Sequence, residues 1–155
     1  MVDEVDVKIL SELVKNSRTP YRQLAKKLGL GESTVYNRIN KLFKSGILKS
    51  FTAEIDLRKL GMTSEAIVEI KPYPHYVRKL REALSELTYV TEVLLVSGDY
   101  PVMVRVVASS NEELASKIDD IAKIEGIAEF RIRYVFETIL SRAGSKVLAK
   151  ILRSG

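Results

Sequence analysis

Residues 31–45 read GESTVYNRINKLFKS, and Ser33, Thr34, Asn37, Arg38, Lys41 and Lys44 recur there at spacings of three and four. On a helix turning about 100° per residue, Val35, Ile39, Leu42 and Phe43 share one arc, which packs inward. Ser33, Asn37, Asn40 and Lys44 point the other way, Thr34 and Lys41 take one shoulder, and Tyr36 and Arg38 lie nearer the apolar edge. Hydroxyl and amide side chains suit the donor and acceptor pattern of base edges, while Arg and Lys suit phosphates. The chemistry that this set supports is the reading of duplex DNA: Ser33, Thr34 and Asn37 at bases or phosphates, Arg38 and Lys41 at phosphates. Tyr36, Lys44 and, from the preceding segment, Arg18 and Arg22 complete the candidate DNA-binding residues.

Charge supports the same chemistry. The net charge of +5 is confined to residues 1–50, which hold ten Lys and Arg against five Asp and Glu. From Arg18 to Lys49 there are eight basic residues and one acid, Glu32, whereas residues 51–155 balance at fifteen of each sign. Each phosphate that a cation neutralises releases a condensed counterion, so such a segment attracts polyanions.

Three helices must position these side chains. Asp3 can cap a first helix with Val5, Ile9, Leu10 and Leu13 inward, ending near Lys15. Thr19-Pro20 is a start signal for a second helix, with Thr19 as N-cap and Pro20 at the first helical position, where its missing N–H costs nothing. Leu24, Ala25 and Leu28 line its inner face and Gly29 stops it. The third helix runs from about Glu32 to Ser45 and closes at Gly46. Short helices joined by a tight Gly-containing turn read as helix-turn-helix.

Asp6-x-x-Ile9-Leu10, Asn16-x-Arg18, Leu24-Ala25, Leu28-Gly29-Leu30, Val35-x-x-Arg38-Ile39, Leu42 and Gly46-Ile47-Leu48 fall in the order and spacing of the Lrp/AsnC, or feast/famine, family of prokaryotic transcription regulators, which the chain resembles over nearly its whole length. Gly31 stands where the family usually has a capping Ser; Gly is an acceptable N-cap. The resemblance implies a hinge strand after the helices, and residues 51–61 fit: Phe51, Ala53 and Ile55 alternate with Thr52, Glu54 and Asp56.

From Ser64 a strand-helix-strand pattern occurs twice: SEAIVEIK, a helix with Val77, Leu80, Leu84 and Leu87 inside, VTEVLLVS; then PVMVRVVA, a helix with Leu114, Ile118 and Ile121 inside, IAEFRIRYVFETIL. This implies a four-stranded antiparallel sheet with both helices on one face. The fold class is thus α+β: a three-helix DNA-binding domain (1–50), a hinge strand or linker (51–61), a ferredoxin-like βαββαβ domain (62–140) matching the family's RAM domain, and a C-terminal tail (141–155) whose Val147, Leu148, Ile151 and Leu152 suit a short amphipathic helix. Val, Ile, Leu and Met are too frequent on the strands for one helical layer, so a second copy is expected on the uncovered face. A two-fold dimer places two reading helices about 10 bp apart, or a multiple of it, on a pseudo-palindromic site.

By the resemblance, an amino-acid effector binds between dimers near the turn joining the second and third strands and near the last strand. That turn is Ser97-Gly98-Asp99-Tyr100-Pro101, so Gly98, Asp99 and Tyr100 are the candidate effector residues. Pro101 stands where the family has Asp, and Phe130 and Ile132 replace its small hydroxyl pair, which makes the site more apolar.

Other classes fare worse. With no Cys and one histidine, His75, the chain lacks a disulfide framework, the usual zinc ligands and a catalytic relay. Asp119-Asp120 and Glu112-Glu113 are sequence neighbours, which a helix turns to different faces. No phosphate-cradling loop is present. Neither enzyme activity nor a metal or cofactor is expected. No apolar run approaches roughly 18 residues, and the acidic start is unlike a signal peptide, so the chain reads as cytosolic. The readings that remain beside sequence-specific regulation are a sensing or interaction module without DNA reading, and an architectural DNA binder with little sequence preference. The expected partners are double-stranded DNA, further copies of the chain as a dimer and then a tetramer or octamer, and an amino-acid effector.

Overall fold

The computed structural model describes residues 2–140 and residue 151. Residues 2–54 belong to one compact unit and residues 55–139 form a second; the expected helical tail over 141–155 lies, apart from residue 151, outside the described residues.

The first unit holds α1 (Glu4–Lys15), α2 (Tyr21–Leu28) and α3 (Glu32–Lys44). Asp3 caps α1 as expected, in a reciprocal capping box with Asp6. After α1, the Asn16 side chain accepts the Arg18 N–H at 3.0 Å and Thr19 Oγ1 donates to the Asn16 carbonyl at 2.8 Å. This corrects the expectation for Thr19. Its hydroxyl closes the preceding turn, so Pro20 itself is the N-cap of α2, and no side chain caps that end.

Gly29 then reverses the chain at φ 67°, in the left-handed region that glycine enters at low cost. The Leu30 N–H reaches back to the Ala25 carbonyl at 2.9 Å, and α3 starts two residues later behind Gly31. Ile9, Leu10, Leu13, Leu24, Ala25, Val35, Ile39 and Leu42 form one buried cluster, so every helix contributes to the core that fixes α3.

The second unit contains β1 (Ser64–Pro72), a 3₁₀ turn (Pro74–Tyr76), α4 (Val77–Ser85), β2 (Val90–Leu95), β3 (Val102–Ala108), α5 (Asn111–Ala122) and β4 (Ile127–Tyr134). The sheet is antiparallel in the order β2-β3-β1-β4. Ala66, Val68 and Ile70 of β1 and Val102, Val104, Val106 and Ala108 of β3 are buried with Leu80 and Leu84 of α4 and Leu114, Ile118 and Ile121 of α5. Both helices therefore cover one face, as the repeat implied. Gly126 leads into β4 with φ 100°, and a Cβ there would stand 2.3 Å from Tyr76 Cβ, so only glycine lets the chain pass.

Two strand expectations change. Residues 51–61, expected as a hinge strand or linker, join no ladder among the described residues and are exposed, so their backbone groups are open to a partner. The last strand ends at Tyr134 rather than running to residue 140. Its partner β1 begins at Ser64, and the Val135 N–H to Glu65 carbonyl bond (2.9 Å) is the last between these segments.

The uncovered face also differs from an apolar one. Ile67, Met103, Val107 and Leu94 are set there among Arg105 with Glu65 and Glu92, Arg133 with Glu69, and Lys71 with Glu129. Phe130 and Ile132 pair in register with Ile70 and Val68 and so face the helical side, at an edge that α4 and α5 leave exposed.

Candidate nucleic-acid interface

On α3, Val35, Ile39 and Leu42 are buried, while Ser33, Thr34, Tyr36, Asn37, Lys41 and Lys44 are exposed. The wheel drawn from the sequence is the one the helix adopts. Gly31 ends its N-terminus without a side chain and leaves the first-turn hydroxyls uncovered, next to N–H groups that carry the positive end of the helix dipole. Tyr36 is 53% exposed and its ring lies 6.2 Å from that of Tyr21, so it belongs to the surface but leans on α2.

The cations divide into two groups. Lys27 is ion-paired with Glu12 of α1, which also holds Lys15 at 2.8 Å; the hydrogen bonds from Lys15 and then Lys27 hold the Glu12 carboxyl below the ordinary glutamate range. Arg38 is likewise taken up: its Nη1 donates to Asp3 Oδ2 at 2.7 Å and Asp6 Oδ1 at 2.8 Å. These bonds raise the Arg38 pKa, with Asp3 the larger influence, and the Arg38 hydrogen bond lowers that of Asp3. Arg38, expected at phosphates, is held by these carboxylates in the DNA-free chain. Near the edge of the apolar stripe its guanidinium meets carboxylates of α1 before it reaches solvent, and its side chain is 30% exposed.

Arg18, Arg22, Lys26, Lys41, Lys44 and Lys49 make no ion pair among the described residues. Arg18 and Arg22 flank the start of α2, while Lys41 and Lys44 continue along α3. Sequence reading missed Asp6 as a partner. It is 3% exposed, the one buried charged side chain among the described residues, and a buried carboxylate needs a counter-charge; its place in the D-x-x-I-L run was the available signal.

In the second unit, Gly98 (φ 110°) and Asp99 lie exposed in the turn between β2 and β3. The Tyr100 hydroxyl donates to Glu129 Oε2 at 2.8 Å, Lys71 reaches Glu129 Oε1 at 3.2 Å, and the Arg131 guanidinium stacks 4.0 Å from the Tyr100 ring centre. The hydrogen bonds from Tyr100 and then Lys71 lower the Glu129 pKa. Tyr100 is thus gathered with Glu129 and Arg131 and not with Phe130 and Ile132, which face the other side of β4. Pro101 supplies only a carbonyl, which accepts from the Val96 N–H at 2.8 Å. His75 is exposed in its 3₁₀ turn. No helix among the described residues is long and apolar enough to cross a membrane.

Comparison with known proteins agrees with this organisation. Residues 2–42 match the model of the AsnC-type helix-turn-helix domain, and residues 65–144 that of the Lrp/AsnC ligand binding domain. The chain is 37% identical over 130 residues to the HTH-type transcriptional regulator LrpA of Pyrococcus horikoshii, covering 83% of this chain and 92% of the relative. An uncharacterised HTH-type transcriptional regulator of Pyrococcus furiosus is 32% identical over 138 residues, 89% of this chain and 93% of that one. Among solved structures, AsnC of E. coli superposes with a TM-score of 0.85 at 26% identity, over 92% of this chain and 97% of AsnC. A reading helix on a three-helix core, a four-stranded sheet covered on one side, and these matches over both units lead to one conclusion: the chain belongs to the Lrp/AsnC family of helix-turn-helix transcriptional regulators.

Proposed function

We propose that this regulator reads pseudo-palindromic promoter DNA as a homodimer or a higher oligomer, with α3 in the major groove. Ser33, Thr34 and Asn37 meet base edges, Tyr36 flanks them, and Arg18, Arg22, Lys41 and Lys44 hold phosphates. The observation that carries this reading is the division of cations: α1 absorbs Lys27 and Arg38, while those on the outer sides of α2 and α3 keep no counter-charge among the described residues. Unpaired cations beside exposed Ser, Thr and Asn favour DNA over an apolar partner.

Dimerisation is supported by two features. Charges on the open face of the sheet are already matched, so a twin can cover it without stranding a net charge. Residues 51–56 offer an exposed alternating segment for a twin strand, beside a groove of about 620 Å³ lined in part by Leu13, Val14 and Phe51. Gly98, Asp99 and Tyr100 are the proposed contact for an amino-acid effector, with Asp99 available for an ammonium group.

The test is fluorescence anisotropy on DNA from the chain's own upstream region and on a scrambled duplex. The parent is expected to prefer its own region, and Asn37→Ala to lose about 1–3 kcal/mol of that preference. Equal affinity of the parent for both duplexes supports an architectural binder instead, and binding to neither defeats the DNA reading.

A further inference from the structure

The capping box of α1 does more than end a helix. Asp3 Oδ1 accepts the Asp6 N–H at 2.9 Å and Asp6 Oδ2 accepts the Asp3 N–H at 3.1 Å. The two remaining oxygens, Asp3 Oδ2 and Asp6 Oδ1, both bind Nη1 of Arg38. All four carboxylate oxygens are thus engaged, and the cation they hold sits in the middle of α3. If Arg38 moved away, Asp6 would remain as a buried carboxylate without its counter-charge, an arrangement that low-dielectric surroundings penalise.

Arg38 is the immediate neighbour of Asn37. Any roll of α3 about its axis that shifts one shifts the other by the same angle. Side-chain tips lie about 5–6 Å from a helix axis, so a roll of about 20° would displace the Asn37 amide by about 2 Å, well beyond the roughly 0.5 Å that a recognition contact tolerates. The hydrophobic core sets where α3 packs, but apolar contacts are non-directional. A charged hydrogen-bonded pair has a fixed geometry and resists the roll.

We propose that Arg38 is a positioning residue, locked onto Asp3 and Asp6 so that α3 presents Asn37 at one fixed roll, and that it contributes to discrimination between DNA sequences without touching DNA. This rests on the reading of α3 as the DNA-reading element.

Removing Asp6's charge separates this role from a phosphate contact, because the two roles give opposite signs. A phosphate-binding Arg38 would be released by Asp6→Asn, and the extra positive charge would tighten binding to any duplex. A positioning Arg38 would lose its anchor, and discrimination would fall.

The experiment uses the full-length chain, a duplex that the parent selects from a randomised pool, and a scrambled permutation of it, between about 50 and 200 mM salt. Thermal melts followed by circular dichroism check that each variant is folded. Arg38→Ala and Asp6→Asn are each expected to reduce the preference for the selected duplex at least about fivefold. Affinity for scrambled DNA and its salt slope should stay near the parent's. Arg38→Lys, which keeps the charge but offers a point donor, should recover part of the preference.

An equal loss on both duplexes in Arg38→Ala, with a salt slope shallower by about 0.9, overturns the proposal in favour of a phosphate contact. Tighter binding or unchanged preference in Asp6→Asn also overturns it. If Arg38→Ala does not fold, Asp6→Asn and Arg38→Lys decide by the same readings. A parent that selects no duplex overturns the DNA reading of α3 itself, and this role with it; a parent that discriminates beside variants that discriminate equally overturns this role alone.

Discussion

In the helical unit the carboxylates of α1 take up Lys27 and Arg38 and leave Arg18, Arg22, Lys41 and Lys44 unpaired among the described residues, whereas on the open face of the sheet Arg105, Arg133 and Lys71 are each held by a glutamate. The difference teaches that the placement of counter-charges, more than their number, separates a surface that draws a polyanion from one that is electrically neutral. Exposed ion pairs add little stability, about 0–1 kcal/mol each. Their effect on the sheet is neutrality, which is what the proposed dimer requires of this face. Unpaired cations on α2 and α3 do the reverse, repelling a twin and drawing phosphate.

The largest expected effect comes from the core that holds the reading helix. Ile39 is 1% exposed, and Ile39→Ala should destabilise the helical unit by about 2–5 kcal/mol. Hydrogen exchange is expected to show lost protection over α1 to α3 and retained protection over β1 and β3. Equal loss over both units would break the comparison, since it would mean that their cores are not separate.

A smaller effect is expected from Arg105→Ala, which strands Glu65 and Glu92 on the sheet face. Analytical ultracentrifugation should show self-association weakened about tenfold or more, while the affinity of each DNA-binding unit for a half-site stays unchanged. A variant that associates as well as the parent would remove the sheet face from the dimer.

The smallest effect is a titration. Arg38 first, and the Asp6 backbone N–H next, lower the Asp3 pKa below its ordinary 3.8. Because the folded value is depressed, the stabilisation that this contact gives is present above pH 3.8 and is lost as pH falls through the folded value. Carbon-detected NMR should find the Asp3 carboxyl titrating below 3.8 in the parent and returning towards it in Arg38→Ala. An unchanged value would mean that the latch does not form in solution.

Which of these features could be read in the sequence follows from how far each one reaches along the chain. Helical spacing showed that Val35, Ile39 and Leu42 face inward, and Gly29 showed where the chain turns, because both are set within a few residues. The two strand-helix-strand patterns likewise gave the order of the sheet and the side on which its helices lie. Asp6 stands in the sequence only as the first residue of the Asp6-x-x-Ile9-Leu10 run; its partner is 32 residues away, so the cost of burying it was not visible. Arg38 had the residue type for phosphate, and only the packing of α1 against α3 shows what it meets first.

The hinge over 51–61 shows the same limit. Alternation is local, whereas a ladder needs a neighbour, and none lies beside this segment among the described residues. Parity on β4 also waited for register. Without the pairing of Ile70 with Phe130, nothing said whether the even or the odd residues of that strand share a side with Tyr100.

The most direct test of the division between paired and unpaired cations is the salt dependence of DNA binding in Lys41→Ala/Lys44→Ala, measured by anisotropy beside the parent on the same duplex. Each phosphate contact contributes about 0.9 to the slope of log K against log salt. The expected result is weaker binding with a slope shallower by about 1.8 per helical unit, for two lost contacts. A slope equal to the parent's would contradict the assignment of the unpaired face of α3 to the DNA backbone.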